Sequence, residues 1–291
     1  MVEPPELRGP TRDQVYRRRV VALIVVGAVL GGGGWAAWAA LKSDSKAADP
    51  PPPSTTVAAP KILQVLFPEG FTRAQMARRA DAASPAITAL GYLSATASSP
   101  LPGQFAGDGK ARNLEGFLFP ATYDLFETDG SKILIRKQLD AFRLNWGKVK
   151  LGYARSKNLT GYDVLIIASM IEKEVIVPKE RALVAAVIYN RLHQQMPLGI
   201  DATLRYGLRI PPTQAITKQE LASNSPYNTR KFRGLPPTPI ANPGLASIEA
   251  AAHPAKVDYL YFVRKPDCRS HFFTASIDEF NAYTRKGLTD C

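Results

Sequence analysis

The sequence predicts an α+β fold preceded by one membrane-spanning helix, and three observations support this prediction. Residues 20–41 carry no charged side chain over the length that a transmembrane helix needs. Residues 131–146 place Ile, Leu, Phe and Trp on one helical face, whereas residues 62–68 have the β-branched and aromatic pattern of a strand. Helical and strand patterns follow one another without regular βαβ alternation, so the part after the span is expected to be a mixed α+β domain.

Helix starts are marked by side chains that cap the first turn. Thr72, Thr160, Thr217 and Ser276 are each followed three positions later by Gln, Asp or Glu, which is the spacing of a capping box. Pro178 suits the first turn of a further helix that ends near residue 194.

Two other segments complete the predicted secondary structure. Residues 94–113 are rich in Gly, Pro, Ser and Ala and are expected to form a loop. Residues 259–264 and 271–274 are rich in aromatic and β-branched side chains and flank a Pro-Asp turn, which predicts a β-hairpin.

Composition and charge limit the classes of protein that fit. The chain has 291 residues, of which 45% are hydrophobic and 21% charged, so it is not disordered throughout. Its formal net charge is +12, and residues 1–41 contribute only +2 of this total. The surplus after residue 41 favours an anionic partner, which could be a nucleic acid, an anionic membrane surface or an acidic polymer.

The uncharged segment Val20–Leu41 is predicted to span a membrane. As a helix it would rise about 33 Å, enough to cross a hydrocarbon layer of about 30 Å. Arg17, Arg18 and Arg19 precede it, so the positive-inside rule places residues 1–19 in the cytoplasm and the rest outside. A cleaved signal peptide is the alternative, since small residues near the end would permit cleavage, but its apolar region usually has only about 7–15 residues.

Residues 42–60 are predicted to form a tether, because they are rich in proline and lack apolar periodicity. When extended, they would hold the following domain within roughly 60 Å of the bilayer. A nucleic-acid partner does not fit that location, so the prediction is that the chain binds none.

The segment 161–174 contains the strongest candidate for a catalytic group. Val164–Ile171 is apolar almost all round, which is typical of a helix buried within a domain. Glu172 extends a packed line of this helix. Burial and the negative end of a helix dipole both favour the protonated form of a carboxyl group, as general-acid catalysis requires. The alternative is a structural ion pair with a neighbouring Lys or Arg, and Glu174 is expected to face elsewhere.

Rigid loops rich in Pro and Gly carry polar side chains in the second half of the chain. Tyr227 and Asn228 lie in one of them; a Tyr ring can stack on a sugar face, and an amide can bond to hydroxyl groups. Turn geometry would explain the prolines and glycines but not this Tyr-Asn pair. These loops therefore favour a carbohydrate ligand.

Other chemistries find no support in the motifs. No HExxH, GxSxG, Walker or GxGxxG pattern occurs in the required setting, and the three histidines lack metal-ligand spacing. Cys268 and Cys291 both follow the predicted span, where they could form a disulfide or remain free thiols.

A larger set of segments can be compared with known families as a group. These are Pro68-Glu69-Gly70, residues 115–120 with Tyr123, residues 167–174 and 189–192, Asp201 with Thr203 and Tyr206, residues 225–229, 235–237, 242–244, 250–254 and 259–263, and His271 with Phe273 and Thr274. In this order and spacing the set resembles the endolytic murein transglycosylase family, also called MltG or YceG-like.

The resemblance implies an N-terminal anchor at residues 20–41, a LysM-like region at residues 61–112 and a catalytic domain at residues 113–291. It implies that Glu172 is the catalytic acid and base. The substrate-binding residues that it implies are Glu115, Asn190, Asp201, Thr203, Tyr227 and Asn228. The chain departs from the family pattern at two positions, Gly199, where a polar residue is usual, and Ala202, where Pro is usual.

The activity implied by the resemblance is cleavage of peptidoglycan between N-acetylmuramic acid and N-acetylglucosamine, leaving 1,6-anhydro ends. Most glycosidases need two carboxylates. Here one is expected to suffice, because the sugar's own 6-hydroxyl is the nucleophile, and no metal or cofactor is required. Peptidoglycan strands and peptidoglycan synthases would be the partners, at the outer face of the plasma membrane. The alternative is a non-catalytic peptidoglycan-binding or scaffold protein of the cell-wall synthesis machinery.

Overall fold

The computed structural model of the chain describes residues 61–106 and 113–287, which belong to one unit, Ala59–Cys291. The predicted membrane span and tether, within residues 1–60, lie outside the described residues. Within the described ranges, no helix has both the length and the apolar character needed to cross a membrane.

A two-stranded antiparallel sheet joins the first part of the domain to the middle of the chain. β1, Ile62–Leu66, pairs with β2, Thr122–Phe126. Between the two strands lie α1, Arg73–Ala83, α2, Ala89–Ser98, and a 3-10 turn, Gly103–Phe105. The sheet therefore contains residues from both sides of the predicted boundary at residue 112.

The rest of the described chain is mainly helical, with one hairpin near its end. The further elements are α3, Ser131–Trp146, α4, Gly152–Ser156, α5, Gly161–Glu174, α6, Arg181–His193, α7, Asp201–Leu208, α8, Lys218–Leu221, α9, Leu245–Ala252, β3, Tyr261–Arg264, β4, His271–Thr274, and α10, Ile277–Arg285. This mixture of helices and short antiparallel strands is the predicted α+β class.

The helix α5 lies at the centre of the domain. Every residue from Tyr162 to Ile171 is buried, and α6, α7 and α9 pack against this helix. Thr160 and Asp163 form the capping box that the sequence predicts at its start. Because burial of each large apolar side chain contributes about 1.5–3 kcal/mol, α5 is a rigid support for the residues at its C-terminal end.

Part of the sequence-based prediction of loops is wrong. Residues 94–98 were expected in a loop but form the end of α2, where Tyr92 and Thr96 are buried. The side chain of Thr88 caps this helix by accepting a hydrogen bond from Gly91 N at 3.1 Å. Packing of the helix against α1 and α3 outweighs the loop-like composition of this segment.

The C-terminal hairpin is present as predicted. β3 pairs with β4 in antiparallel register, with Arg264 opposite His271. His271 Nδ1 lies 2.7 Å from Glu180 Oε2, and both side chains are buried. This contact fixes the hairpin to the residues that precede α6. In the loop of the hairpin Cys268 is disulfide-bonded, and Cys291, the other cysteine of the chain, lies outside the described residues.

Candidate active site

Glu172 lies in the last turn of α5, where an irregular segment, residues 240–244, runs beside the helix. The backbone N–H of Ile240 donates to Ser169 Oγ at 3.0 Å, and the N–H of Gly244 donates to Glu172 Oε2 at 3.1 Å. The line of α5 on which the sequence places Glu172 is therefore the line covered by residues 240–244. Glu172 itself is half-buried, so its carboxylate is held by the protein and still reaches the surface.

A second carboxylate, that of Glu69, reaches the same place from the turn between β1 and α1. A β-carbon built on Gly244 would lie 1.8 Å from Glu69 Oε1, so only glycine fits at position 244 while Glu69 keeps this position. Partial burial raises the pKa of Glu69, the neighbouring charge of Glu172 raises it further, and Arg181 acts in the opposite direction. The sequence singles out Glu69 only within Pro68-Glu69-Gly70, one of the segments that carry the family resemblance, and not as a site residue.

Asn242 holds the loops around these two carboxylates together. This side chain is fully buried. Its Oδ1 accepts from the backbone of Gly116 and of Leu118 at 2.9 Å each. Its Nδ2 donates to the carbonyl of Phe71 at 2.9 Å and to Glu115 Oε1 at 3.0 Å. One amide therefore fixes the turn that carries Glu69, the segment at residues 115–118 and the irregular segment 240–244 beside α5.

Glu115 is a buried member of this network. Only 3% of its surface is exposed. Its carboxylate accepts from Arg73 N at 2.8 Å and from the Tyr206 hydroxyl at 3.0 Å, besides the contact with Asn242. Burial raises its pKa to about 7, although these hydrogen bonds oppose the shift. In the structure Glu115 thus supports the loops around the site and has little surface to offer a substrate.

Tyr227 and Asn228, the pair expected to meet a sugar, have different surroundings. Tyr227 is half-buried; its hydroxyl lies 2.8 Å from Thr238 Oγ1, and its ring centroid lies 5.3 Å from that of Tyr206. Asn228 is fully buried, and its Nδ2 donates to the carbonyls of Leu221 and Ser223. The ring is therefore partly accessible, whereas the amide shapes the loop from within.

Glu174 has a polar environment of its own, apart from that of Glu172. Burial raises its pKa to about 7 and the charge of Asp201 adds to this, while Arg264, the N–H of Ala202 and Arg230 oppose it. The expectation that Glu174 faces elsewhere agrees with these neighbours.

Asp201, Thr203 and Asn190 complete the set of residues that the sequence singles out. Asp201 accepts two hydrogen bonds from the Arg230 guanidinium. Thr203 is fully buried, with its Oγ1 2.9 Å from Thr229 Oγ1. Asn190 Nδ2 donates to the carbonyls of Val257 and Tyr259 at 2.9 Å each. Asp201 is thus exposed near Glu174, whereas Thr203 and Asn190 hold loops in place.

The described side chains around these carboxylates form no metal cluster. In the described ranges no group of three or more His, Cys, Asp or Glu side chains could hold a metal ion. A cavity of about 550 Å³ lies at the opposite end of α5, where Phe105, Trp146 and Gly161 line it. Glu172 is half-buried and Glu69 is exposed, so both side chains have surface available to a ligand.

The sequence and fold of the chain are similar to those of one protein family. The chain belongs to the YceG-like family, whose sequence model it matches over residues 41–286. It is also similar to a crystal structure of a yceG-like protein from Listeria monocytogenes, with a TM-score of 0.65 and 31% identity over 76% of this chain and 75% of that one.

Two curated relatives of the chain are named endolytic murein transglycosylases. An endolytic murein transglycosylase from Bacillus subtilis (strain 168) is 38% identical over 176 residues, 60% of this chain and 48% of that protein. An endolytic murein transglycosylase from Streptococcus pneumoniae (strain ATCC BAA-255 / R6) is 33% identical over 227 residues, 70% of this chain and 41% of that protein. The alignments thus span less than half of the length of these relatives.

Proposed function

We propose that the chain is an endolytic lytic transglycosylase that cleaves peptidoglycan between N-acetylmuramic acid and N-acetylglucosamine. Its family and the activity for which its curated relatives are named support the proposal. The single observation that carries it is Glu172, a half-buried carboxylate oriented by the Gly244 N–H at the end of a rigid helix.

In this proposal Glu172 acts first as acid and then as base. Its proton passes to the bridging oxygen as the bond from that oxygen to the muramic acid C1 breaks. The sugar's 6-hydroxyl oxygen then bonds to C1, and its proton returns to Glu172. The products are a free hydroxyl on the glucosamine side and a 1,6-anhydro ring, so atoms and charges balance without water. The hydrogen bond from Gly244 orients Oε2 through both steps.

The substrate would lie across the loops that Asn242 fixes. Tyr227 is the accessible aromatic ring and is assigned to stacking against a sugar. The exposed Asp201–Arg230 pair is assigned to polar contacts with the glycan or its peptide stems. Four other residues are assigned to substrate binding only indirectly, because their polar groups are hydrogen-bonded within the protein and hold the binding loops in shape. These are Glu115, Asn190, Thr203 and Asn228.

We also propose that residues 20–41 anchor the chain once in the plasma membrane, with residues 1–19 in the cytoplasm and the enzyme outside. The support is the uncharged span after Arg17, Arg18 and Arg19. Peptidoglycan synthases at the same membrane face are the proposed protein partners. Protease added to intact spheroplasts should remove most of the chain, and survival of the full-length band would contradict this topology.

The LysM-like region is assigned to the segment from β1 to β2. Its support is the pairing of Ile62–Leu66 with Thr122–Phe126, which encloses α1 and α2. This assignment extends the region beyond residue 112, and the turn that carries Glu69 lies within it.

The activity can be tested with the full-length chain in detergent and purified glycan strands. Mass spectrometry of the products should reveal new 1,6-anhydro ends that arise from cuts inside the strands. Glu172→Gln should release none, whereas Glu127→Gln, which alters an exposed glutamate paired with Lys61, should match the parent. Glycan binding by the parent without new anhydro ends would instead support the non-catalytic wall-binding alternative.

A further inference from the structure

A cluster of cations lies near the start of α5, at the other end of this helix from Glu172. Residues 143–157, which we call the basic surface, contain five Lys and Arg side chains and no Asp or Glu. All five side chains belong to exposed residues, namely Arg143, Lys148, Lys150, Arg155 and Lys157. This short segment therefore carries +5 of the formal net charge of +12 of the chain.

The charge of the basic surface is mostly uncompensated within the described part of the chain. Arg143 pairs with Asp140 at 2.7 Å, and none of the other four cations forms an ion pair with a described carboxylate. Lys157 Nζ lies 5.6 Å from the centroid of the neutral Tyr153 ring. Like charges held close together repel each other, so this surface favours a partner that presents several negative charges at once.

A cavity of about 550 Å³ lies beside these cations. Lys150 and Arg155 line it together with Trp146, Gly147 and Gly152, and none of the described lining residues is acidic. Cationic side chains next to an aromatic wall suit a ligand that combines an anionic group with apolar atoms. A phospholipid headgroup with its glycerol backbone has this composition.

Apolar side chains are exposed within the same segment. Leu144 is 68% exposed and Tyr153 is 39% exposed. At a bilayer surface, Lys and Arg face the headgroup phosphates while apolar and aromatic side chains enter the interface. A hydrated acidic polymer would attract the cations but would leave Leu144 in water, so the combination favours a membrane.

We propose that the basic surface docks on anionic phospholipid headgroups of the membrane that anchors the chain. The inference rests on the proposed anchor at residues 20–41. Because residues 42–60 keep the domain close to the bilayer, docking is an intramolecular step and needs only a weak affinity. Gly161 and Glu172 are about 16 Å apart along α5, so docking leaves the proposed glycan site free.

The test uses the full-length chain in nanodiscs of phosphatidylcholine, with or without phosphatidylglycerol. The anchor enters both kinds of disc, so only docking distinguishes them. Acetylation of lysines, measured by mass spectrometry, reports their accessibility. In anionic discs the reactivity of Lys148, Lys150 and Lys157 should fall about 3–10-fold at low salt and recover at high salt. Lys218 and Lys286, which are exposed elsewhere, should react equally in both discs.

Two variants separate the contributions of charge and apolar contact. Arg155→Gln removes one cation but none of the lysines that are measured, so their protection should weaken by up to about fivefold. Leu144→Ser should weaken it without any change in charge. Arg78→Gln removes an exposed cation of α1 and is the matched control, which should protect these lysines as the parent does.

Each other outcome contradicts a particular statement. Equal lysine reactivity in neutral and anionic discs would overturn the docking proposal. Protection by added glycan strands in neutral discs, with none from phosphatidylglycerol, would assign the surface to an acidic polymer and also overturn it. A chain that failed to enter neutral discs would contradict the anchor alone, and lysine reactivity with anionic vesicles would then still decide whether the surface binds lipid.

Discussion

Glu69 and Gly244 are complementary in shape: the carboxylate of one residue fills the space where the other would carry a side chain. A β-carbon on Gly244 would come within 1.8 Å of Glu69 Oε1. Gly244 has a φ of −75°, which any residue can adopt. Its backbone therefore does not require glycine, and the Glu69 carboxylate occupies the place that a side chain would take.

Gly244→Ala should displace the Glu69 carboxylate. The added methyl group takes the space of this flexible and exposed side chain, which can rotate away, so kcat/KM should fall only a few-fold, a loss of less than about 1.4 kcal/mol in transition-state stabilisation. Activity assays on purified glycan strands measure the loss.

A double-mutant cycle identifies the cause of that loss. Removing the Glu69 side chain makes room for the methyl group, so Gly244→Ala should cost less in a Glu69→Ala background than in the parent. Strict additivity of the two changes would show that the methyl group acts without Glu69.

Glu172→Gln should abolish glycan cleavage while the domain remains folded. Gln can accept the hydrogen bond from Gly244 but cannot deliver a proton, and loss of a general acid typically costs about 10²–10⁴-fold in rate. The production of anhydro ends measures the activity, and thermal unfolding checks the fold.

Glu174→Gln is the matched control for this experiment. Glu174 has a pKa raised to about 7, so Gln resembles the neutral form that is already populated near neutrality. Activity within a few-fold of the parent is expected. If Glu174→Gln were as inactive as Glu172→Gln, the assignment of the acid to Glu172 alone would fail.

The sequence correctly places Glu172 on a packed line of α5. Residues three and four positions apart lie on the same face of a helix, so the apolar residues before Glu172 show which face it extends. The structure covers this line with residues 240–244, as the contact between Ser169 and Ile240 demonstrates. No local pattern could place Glu69 beside Glu172, since about a hundred residues separate them. Their proximity depends on tertiary contacts through Asn242.

The sequence also could not predict which side chains of a loop face outwards. Tyr227 and Asn228 are neighbours in one loop, yet the Tyr ring is partly exposed and the Asn amide is fully buried. The motif locates the loop, but the hydrogen bonds of Asn228 to Leu221 and Ser223 decide which side chain faces outwards. Short Ala-rich helices such as α9 escaped prediction because eight residues carry too little periodic signal.

The buried carboxyl of Glu115 should make the stability of the domain depend on pH. Its pKa is raised from 4.5 to about 7 in the folded protein, so the folded state binds more protons than the unfolded state between these values. The free energy of unfolding should therefore fall as pH rises from about 4.5 to about 7, by at most about 1.4 kcal/mol per pH unit from this group.

Glu115→Gln should make that decline less steep. Its amide oxygen can still accept from Arg73 N, and no charge is created as pH rises. Urea unfolding at pH 5, 6, 7 and 8 gives the change of the unfolding free energy with pH. It is measured for the parent, for Glu115→Gln and for the exposed control Glu127→Gln. If the unfolding free energy changed with pH equally in all three proteins, the raised pKa of Glu115 would be contradicted.

Substitutions of Tyr227 should separate sugar stacking from loop support. Tyr227→Phe keeps the ring and loses only the hydrogen bond with Thr238, so it should cost about 0.5–1.5 kcal/mol in unfolding free energy with little change in KM. Tyr227→Ala removes the ring and should raise KM about 3–10-fold, the equivalent of one aromatic stacking contact. Thr238→Val breaks the same hydrogen bond from the other side while leaving the ring in place, so its KM should stay near that of the parent. If Thr238→Val raised KM as much as Tyr227→Ala, loop support and not stacking would explain the effect.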